Sequence, residues 1–125
     1  MPYAIIVEGK NDRRKLRKLL SNEVIVTCTH GTPSAKRIEE LKEETRGRHI
    51  FIFTDNDASG RKIRGILREI FPEAEQIYTK KGFFGVEGTP DDYLIQQLEK
   101  AGLESYIRYP QSFCNPFLVK EFFEF

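Results

Sequence analysis

Four short, mostly apolar runs, each followed by a segment with helical spacing, constrain the fold of this chain more than any other feature. The runs lie at residues 4–7, 24–27, 49–53 and 75–78. Runs of this length without regular polar alternation are typical of strands that are buried on both faces. Each run therefore predicts one strand of a sheet that is covered on both sides.

The segments that follow the runs have apolar residues on one face, at the spacing of an α-helix. The first helix is predicted to start near Asn11, the second near Ser34, and the third carries the clearest period and ends at Pro72. A fourth helix is predicted to start with Thr89 as its N-cap and Pro90 as its first helical residue. This alternation predicts an α/β fold: a four-stranded, mainly parallel sheet of order 2-1-3-4 with helices on both faces.

Length and composition indicate one folded domain over residues 1–125, of which 39% are hydrophobic. The longest apolar runs have four or five residues, far fewer than the roughly twenty that span a bilayer. Charged residues follow the first apolar run at once, so we expect no secretory signal and a cytoplasmic location. Cys28 and Cys114 are too few for a disulfide framework or a zinc site.

Charge is distributed unevenly along the chain. Residues 1–81 hold 17 basic and 12 acidic residues, whereas residues 82–125 hold 3 basic and 7 acidic ones. Basic residues cluster at 10–18 and at 61–68, where they could neutralise the phosphates of a nucleic acid. The alternative is that both clusters are solvated helix faces.

Carboxylates follow two of the predicted strands. Glu8 comes directly after the first strand, and Asp55 and Asp57 follow the third. Ligands of an open parallel sheet bind beyond the carboxyl ends of the strands, where the strand order reverses, so these side chains should converge. Like charges about 4 Å apart repel by about 4 kcal/mol at an effective dielectric near 20, and such a cluster holds protons or binds a cation. Hard oxygen ligands favour Mg²⁺ or Mn²⁺.

Two simpler explanations exist for these carboxylates. Asp57 could be only the N-cap of the third helix, and Glu8 could pair with Lys10 or another cation at the rim of the sheet. However, both acidic sites have a glycine nearby, Gly9 and Gly60, where a phosphate can approach the backbone. The combination favours a metal site beside a phosphate site.

Two motifs occur in a fixed order on the first and third predicted strands. They are IIVEGKND at residues 5–12 and IFTDNDASGRKI at residues 52–63, with Gly31 after the second strand. Together they resemble the Toprim domain, the catalytic module of topoisomerases, bacterial primases, certain nucleases and recombination-repair proteins, over residues 3–95. Within that family the chain is most similar to ribonuclease M-five, a maturase of small ribosomal RNA, which also carries a Gly-Val-Glu segment like residues 85–87.

The resemblance implies roles for individual residues in metal-assisted phosphoryl transfer on RNA or DNA. It makes Glu8 a general acid/base or metal ligand, and Asp55 and Asp57 the ligands of Mg²⁺. Phosphate binding would involve Gly9, Lys10, Gly31, Gly60 and Arg61. Asp12 matches an acidic position of the family, although an ordinary carboxylate in the first turn of a helix is the simpler interpretation.

The chain also departs from this pattern, which leaves other functions open. Gly88 and Thr89 stand where the maturase has His-Ala, and the maturase's additional carboxyl-terminal domain is not expected here. One alternative is therefore a module that binds nucleic acid or a partner protein without cutting, and another is a small-molecule phosphatase. The aromatic extension at 103–125 could pack on the domain or contact a second copy or a partner protein.

Overall fold

The computed structural model describes residues 3–79, 83 and 85–109, and strands alternate with helices throughout this part of the chain. The strands are β1 (Tyr3–Val7), β2 (Val24–Cys28), β3 (His49–Phe53) and β4 (Glu75–Ile77). The helices are α1 (Lys10–Leu19), α2 (Ala35–Glu44), α3 (Ala58–Ile70) and α4 (Asp91–Lys100), followed by a 3₁₀ turn at Glu104–Tyr106.

The four strands form one parallel sheet of order β2-β1-β3-β4, which confirms the predicted fold class and strand order. In the centre of the sheet Ile5 of β1 pairs with Val26 of β2 and with Phe51 of β3. Because β1 and β3 are neighbours, the loops that carry Glu8 and Asp55 leave the same edge of the sheet side by side.

Helices cover both faces of the sheet, as the double burial of β1 and β3 requires. The prediction of double burial was wrong for β4, an edge strand that ends at Ile77 and whose Glu75 is exposed. On one face Ile5 and Val7 pack with apolar residues of α1 and α4 in the larger cluster of buried side chains. On the other face Ile6 and Ile52 pack with Leu41 of α2 and with two buried residues of α3. Successive side chains of β1 thus pack against helices on opposite faces of the sheet, so Glu8 is the first charged residue along this part of the chain.

The start of the fourth helix differs from the prediction. Thr89 is not its N-cap; the helix begins at Asp91, and Pro90 occupies the cap position. The Thr89 hydroxyl is buried and donates to the carbonyl oxygen of Gly85 instead. The side chain that was expected to cap α4 therefore closes the turn at residues 85–88.

In the aromatic extension at 103–125, Leu103, Tyr106 and Ile107 pack in or against the larger core cluster. Residues 110–125, which include Cys114, lie outside the described residues, and a contact of this extension with a second copy or a partner protein stays a prediction. Among the helices in the described ranges, none has both the length and the apolar character that crossing a bilayer requires.

Candidate metal centre

Three carboxyl groups meet at the carboxyl edge of the sheet. Glu8 follows β1, Asp12 lies in the first turn of α1, and Asp55 follows β3 by two residues. One carboxylate oxygen from each side chain lies within 4.8 Å of the other two. These oxygen donors are of the kind that hard divalent cations bind, and the three groups could hold one ion.

Glu8 is a carboxyl group whose ionised form a cation would stabilise. Its Oε1 atom is buried and accepts no hydrogen bond from the described residues. The pKa of Glu8 is raised to about 8. Burial is the largest cause, and a hydrogen bond with Asp55 and the negative charge of Asp55 add to it. A carboxyl group that is this costly to ionise carries a proton in the metal-free protein near neutral pH and exchanges it for a cation when one binds.

Asp12 is part of this cluster, which goes beyond its simpler interpretation as a first-turn helix carboxylate. It is 7% exposed. Its Oδ2 accepts a hydrogen bond from the backbone N–H of Gly9 at 3.1 Å, and its Oδ1 accepts one from the N–H of Glu87 at 3.0 Å. Burial and the charge of Asp55 raise the pKa of Asp12, while those two amides oppose the change.

A signal for this position was present in the sequence. Asp12 precedes Leu16 by four residues and Leu19 by seven, so all three lie on the helix face that points toward the sheet. Leu16 and Leu19 are both buried in the larger core cluster. A carboxylate at the amino end of that apolar stripe must point into the edge of the sheet rather than into solvent.

Asp55 is held by the segment that follows β4. Its Oδ1 accepts a hydrogen bond from the backbone N–H of Val86 at 3.1 Å. The preceding residue, Gly85, has a φ of +67°, which favours glycine, and a β-carbon there would lie 2.1 Å from Asp55 Oδ1. The turn at residues 85–88 thus approaches the carboxylate more closely than any side chain would allow.

Lys15 fixes the same turn from α1. Its ammonium group donates to the carbonyl oxygen of Glu87 at 3.0 Å and to that of Thr89. It also lies 3.9 Å from a carboxylate oxygen of Asp91, at the start of α4. One face of α1 therefore both supplies Asp12 to the cluster and anchors the segment that covers it.

Asp57 has a different position from the other predicted ligands. It is the N-cap of α3, and its Oδ1 accepts a hydrogen bond from the backbone N–H of Gly60 at 2.6 Å. The side chain is exposed. Its negative charge nevertheless contributes to the raised pKa of Glu8, so Asp57 lies close to the cluster although its contacts are those of a cap.

The predicted glycines line this edge in three ways. Gly9 caps α1 and donates to Asp12. Gly31 has a φ of +78°, and its N–H donates to the carbonyl oxygen of Glu8 at 3.1 Å. Gly60 is buried, and a β-carbon there would lie 2.0 Å from the backbone oxygen of Asp55, so the first turn of α3 packs directly on that loop.

Two arginines of the basic cluster in α1 donate hydrogen bonds to the backbone, whereas Lys10 is exposed at the edge of the sheet. The Nε atom of Arg13 donates to the carbonyl oxygen of Val26 at 2.8 Å, and Arg17 donates to that of Val24 at its Nη1 atom. These guanidinium groups satisfy carbonyls on the outer edge of β2. Lys10, the first residue of α1, is exposed, and it stands at the same edge of the sheet as the carboxylates.

Arg61 is the second predicted phosphate contact. It lies in the first turn of α3 and is exposed, with one 3.4 Å hydrogen bond from its guanidinium group to the carbonyl oxygen of Asn56. Lys10 and Arg61 thus each lie in the first turn of a helix that follows a loop carrying a carboxylate of the cluster.

Comparison with known proteins supplies a family and relatives. Residues 3–84 match the model of the Toprim domain. The chain is 34% identical over 99 residues to the uncharacterized protein YusF of Bacillus subtilis, covering 79% of this chain and 68% of that protein. It is 36% identical over 103 residues to Ribonuclease M5 of Fusobacterium nucleatum, covering 78% of this chain and 56% of that protein.

A solved structure is similar in fold and in sequence. The small TOPRIM domain protein from Bacillus stearothermophilus superimposes with a TM-score of 0.76 at 36% identity, covering 86% of this chain and 90% of that one. The chain thus matches that small protein along most of its length, but it spans little more than half of the matched Ribonuclease M5.

Proposed function

This chain belongs to the Toprim domain family, and on that premise we propose that it is a nuclease that requires Mg²⁺ or Mn²⁺ to cleave RNA or DNA. Its relatives that carry the name Ribonuclease M5 favour RNA as the substrate. The proposal concerns the chain by itself, because those relatives are longer.

One observation carries the proposal: the carboxyl groups of Glu8, Asp12 and Asp55 converge, and a buried oxygen of Glu8 accepts no hydrogen bond from the described residues. A buried acceptor without a donor is costly unless a ligand completes it. Three carboxylates that only stabilised the fold would be expected to meet basic side chains instead. The residues present therefore fit a hard divalent cation, with Asp57 as an outer carboxylate.

The side chains around the cluster can perform the remaining chemistry. A divalent ion held there would neutralise charge on the scissile phosphate and lower the pKa of an attacking water molecule. Glu8 would serve either as a third ligand of the ion, in which case it is ionised, or as a general acid/base, a role for which its raised pKa in the metal-free chain is suited. In this proposal Lys10 and Arg61, each in the first turn of a helix that begins at this edge of the sheet, bind the phosphate.

A second candidate function is a Toprim module that binds nucleic acid without cutting it. The observation that favours it is the length of the match, because the chain spans only 56% of the matched Ribonuclease M5. In that case affinity for nucleic acid would fall as salt rises, while Mg²⁺ would produce no turnover.

Incubation of the purified protein with labelled structured RNA and single-stranded DNA distinguishes the two functions. We expect cleavage with Mg²⁺ or Mn²⁺, none with EDTA, and none for Asp55→Asn, whose circular dichroism should match the parent. Salt-sensitive binding without cleavage under every metal condition would establish the binding module instead. An Asp55→Asn protein that cuts as fast as the parent would refute the assigned centre.

A further inference from the structure

Tyr78 stands exposed at the same edge of the sheet as the metal centre. It follows β4 directly and is 50% exposed, although a large aromatic side chain normally gains free energy from burial. Within the described part of the chain, Tyr78 and Tyr109 are the large hydrophobic side chains that remain exposed. Neither the core nor the carboxylate cluster accounts for Tyr78.

A fixed guanidinium group supports one side of the Tyr78 ring. The Arg64 Cζ atom lies 4.2 Å from the ring centroid, within the range of a cation–π contact. Arg64 is only 5% exposed, and it donates to the carbonyl oxygens of Thr54 at 3.0 Å and Ile77 at 2.8 Å, and to Gln76 Oε1 at 2.5 Å. The ring therefore rests on a support that cannot move without breaking several buried hydrogen bonds.

The same guanidinium group fixes the position of the ring relative to the metal centre. Thr54 immediately precedes Asp55, and Ile77 immediately precedes Tyr78. Phe53 pairs with Ile77 in the parallel register, and neighbouring strands lie about 4.8 Å apart. Tyr78 thus stands about one strand spacing from the loop that carries Asp55, a distance suited to a nucleotide next to the phosphate at the centre.

Two further arginines lie on the helix face that carries Arg64. On α3, Arg61 lies three residues before Arg64 and Arg68 lies four residues after it, so both share its helix face. Arg61 and Arg68 are exposed, and the charge of Arg68 adds to burial in lowering the pKa of Arg64. An exposed aromatic ring on a helix face with several basic side chains is a combination that binds single-stranded nucleic acid.

We propose that Tyr78 is a stacking platform for an unpaired base next to the scissile phosphate, which makes a strand, loop or bulge with an unstacked nucleotide the preferred substrate. This inference rests on the proposed function. A base in a regular duplex is already stacked on its neighbours and would not reach the ring.

The absence of tryptophan from the sequence permits a direct test. A Tyr78→Trp protein in an Asp55→Asn background, which prevents cutting, is titrated with a single-stranded RNA 12-mer and with its duplex. We expect tryptophan emission to be quenched by the single strand and not by the duplex. Tyr109→Trp in the same background is the matched control. Arg108, the residue before Tyr109, donates its backbone N–H to the carbonyl oxygen of Leu19, at the end of α1 far from the metal centre. The emission of the Tyr109→Trp protein should therefore not change.

Affinity measurements with non-aromatic variants complete the test. Tyr78→Ala and Tyr78→Leu should each weaken binding of the single strand by about tenfold, whereas Tyr78→Phe should stay within about twofold. Unchanged emission of the Tyr78→Trp protein at saturation, equal quenching by duplex, or parental affinity of both Tyr78→Ala and Tyr78→Leu would overturn the inference. If the parent still cuts RNA in that case, the proposed function stands without it; if the parent neither binds nor cuts, both fail.

Discussion

Gly85 lies so close to Asp55 that a β-carbon added to it would stand 2.1 Å from the Asp55 carboxylate oxygen. The two residues are thirty positions apart, and the neighbouring amide of Val86 donates to the same oxygen. The turn after β4 therefore orients a proposed metal ligand that belongs to the loop after β3. This contact makes the geometry of the centre depend on a residue that has no side chain.

Gly85→Ala should impair metal binding as well as stability. The positive φ of Gly85 costs any L residue about 1–2 kcal/mol, and the added methyl group also displaces the Asp55 carboxylate. We expect the affinity for Mn²⁺, measured by calorimetry, to fall by at least about tenfold. Gly102→Ala is the control, because Gly102 has a φ of +87° with nothing within 4 Å, and it should lose stability but keep metal affinity. Equal metal affinity in both variants would show that Gly85 does not shape the centre.

The variants Asp55→Asn and Asp57→Asn should distinguish the proposed metal ligand, Asp55, from the helix N-cap, Asp57. Asparagine caps a helix about as well as aspartate, so Asp57→Asn should change the free energy of unfolding by less than about 0.5 kcal/mol. We expect it to weaken Mn²⁺ binding less than Asp55→Asn, which removes charge from the cluster itself. Calorimetric titration of both variants measures this order, and the reverse order would assign the inner position to Asp57.

Lys10→Ala and Arg17→Ala should affect different properties of the protein. Lys10 is exposed beside the centre, so its loss should weaken nucleic-acid binding and reduce the slope of log affinity against log salt by about 1. Arg17 donates to carbonyl oxygens of Val24, Leu20 and Ser21, so its loss should lower the free energy of unfolding by about 1–2 kcal/mol and leave that slope unchanged. Filter binding over a salt series and urea unfolding test the pair, and an unchanged slope for Lys10→Ala would remove this residue from the phosphate site.

The metal-free protein should become less stable as pH rises from about 4.5 to about 8. The pKa of Glu8 is raised from its ordinary value of 4.5 to about 8, so between these values the folded chain binds more protons than the unfolded chain. Asp12, whose pKa is also raised, acts with the same sign. Thermal unfolding in EDTA across this range should show a steeper decline for the parent than for Glu8→Gln. Parallel curves would mean that Glu8 ionises normally in the folded protein.

The fold could be predicted from the sequence because its signals are local. The apolar runs and the helical periods each lie within a few adjacent residues, and the parallel order follows from their alternation. Placement of Glu8 and Asp55 at one edge follows from the same order, since each comes within two residues of the end of a central strand.

The parts that sequence reasoning missed depend on contacts between distant segments. Asp12 joins the cluster partly through the amide of Glu87, which lies 75 residues away, and the closeness of Gly85 to Asp55 depends on the path of a turn without regular structure. The contact between Tyr78 and Arg64 depends on the way Arg64 bonds the ends of β3 and β4. The helix face of Asp12 can be read from its spacing to Leu16 and Leu19, but local residue patterns carry no information about these three long-range contacts.

The most direct test of the central claim is a calorimetric titration of Mn²⁺ into the parent, Glu8→Gln, Asp12→Asn and Asp55→Asn, with circular dichroism as the check on folding. We predict saturable binding of Mn²⁺ to the parent and a loss of at least about tenfold in affinity for each variant, because each removes one carboxylate from a shared site. Folded variants that bind Mn²⁺ as tightly as the parent, or a parent that binds none, would contradict the account.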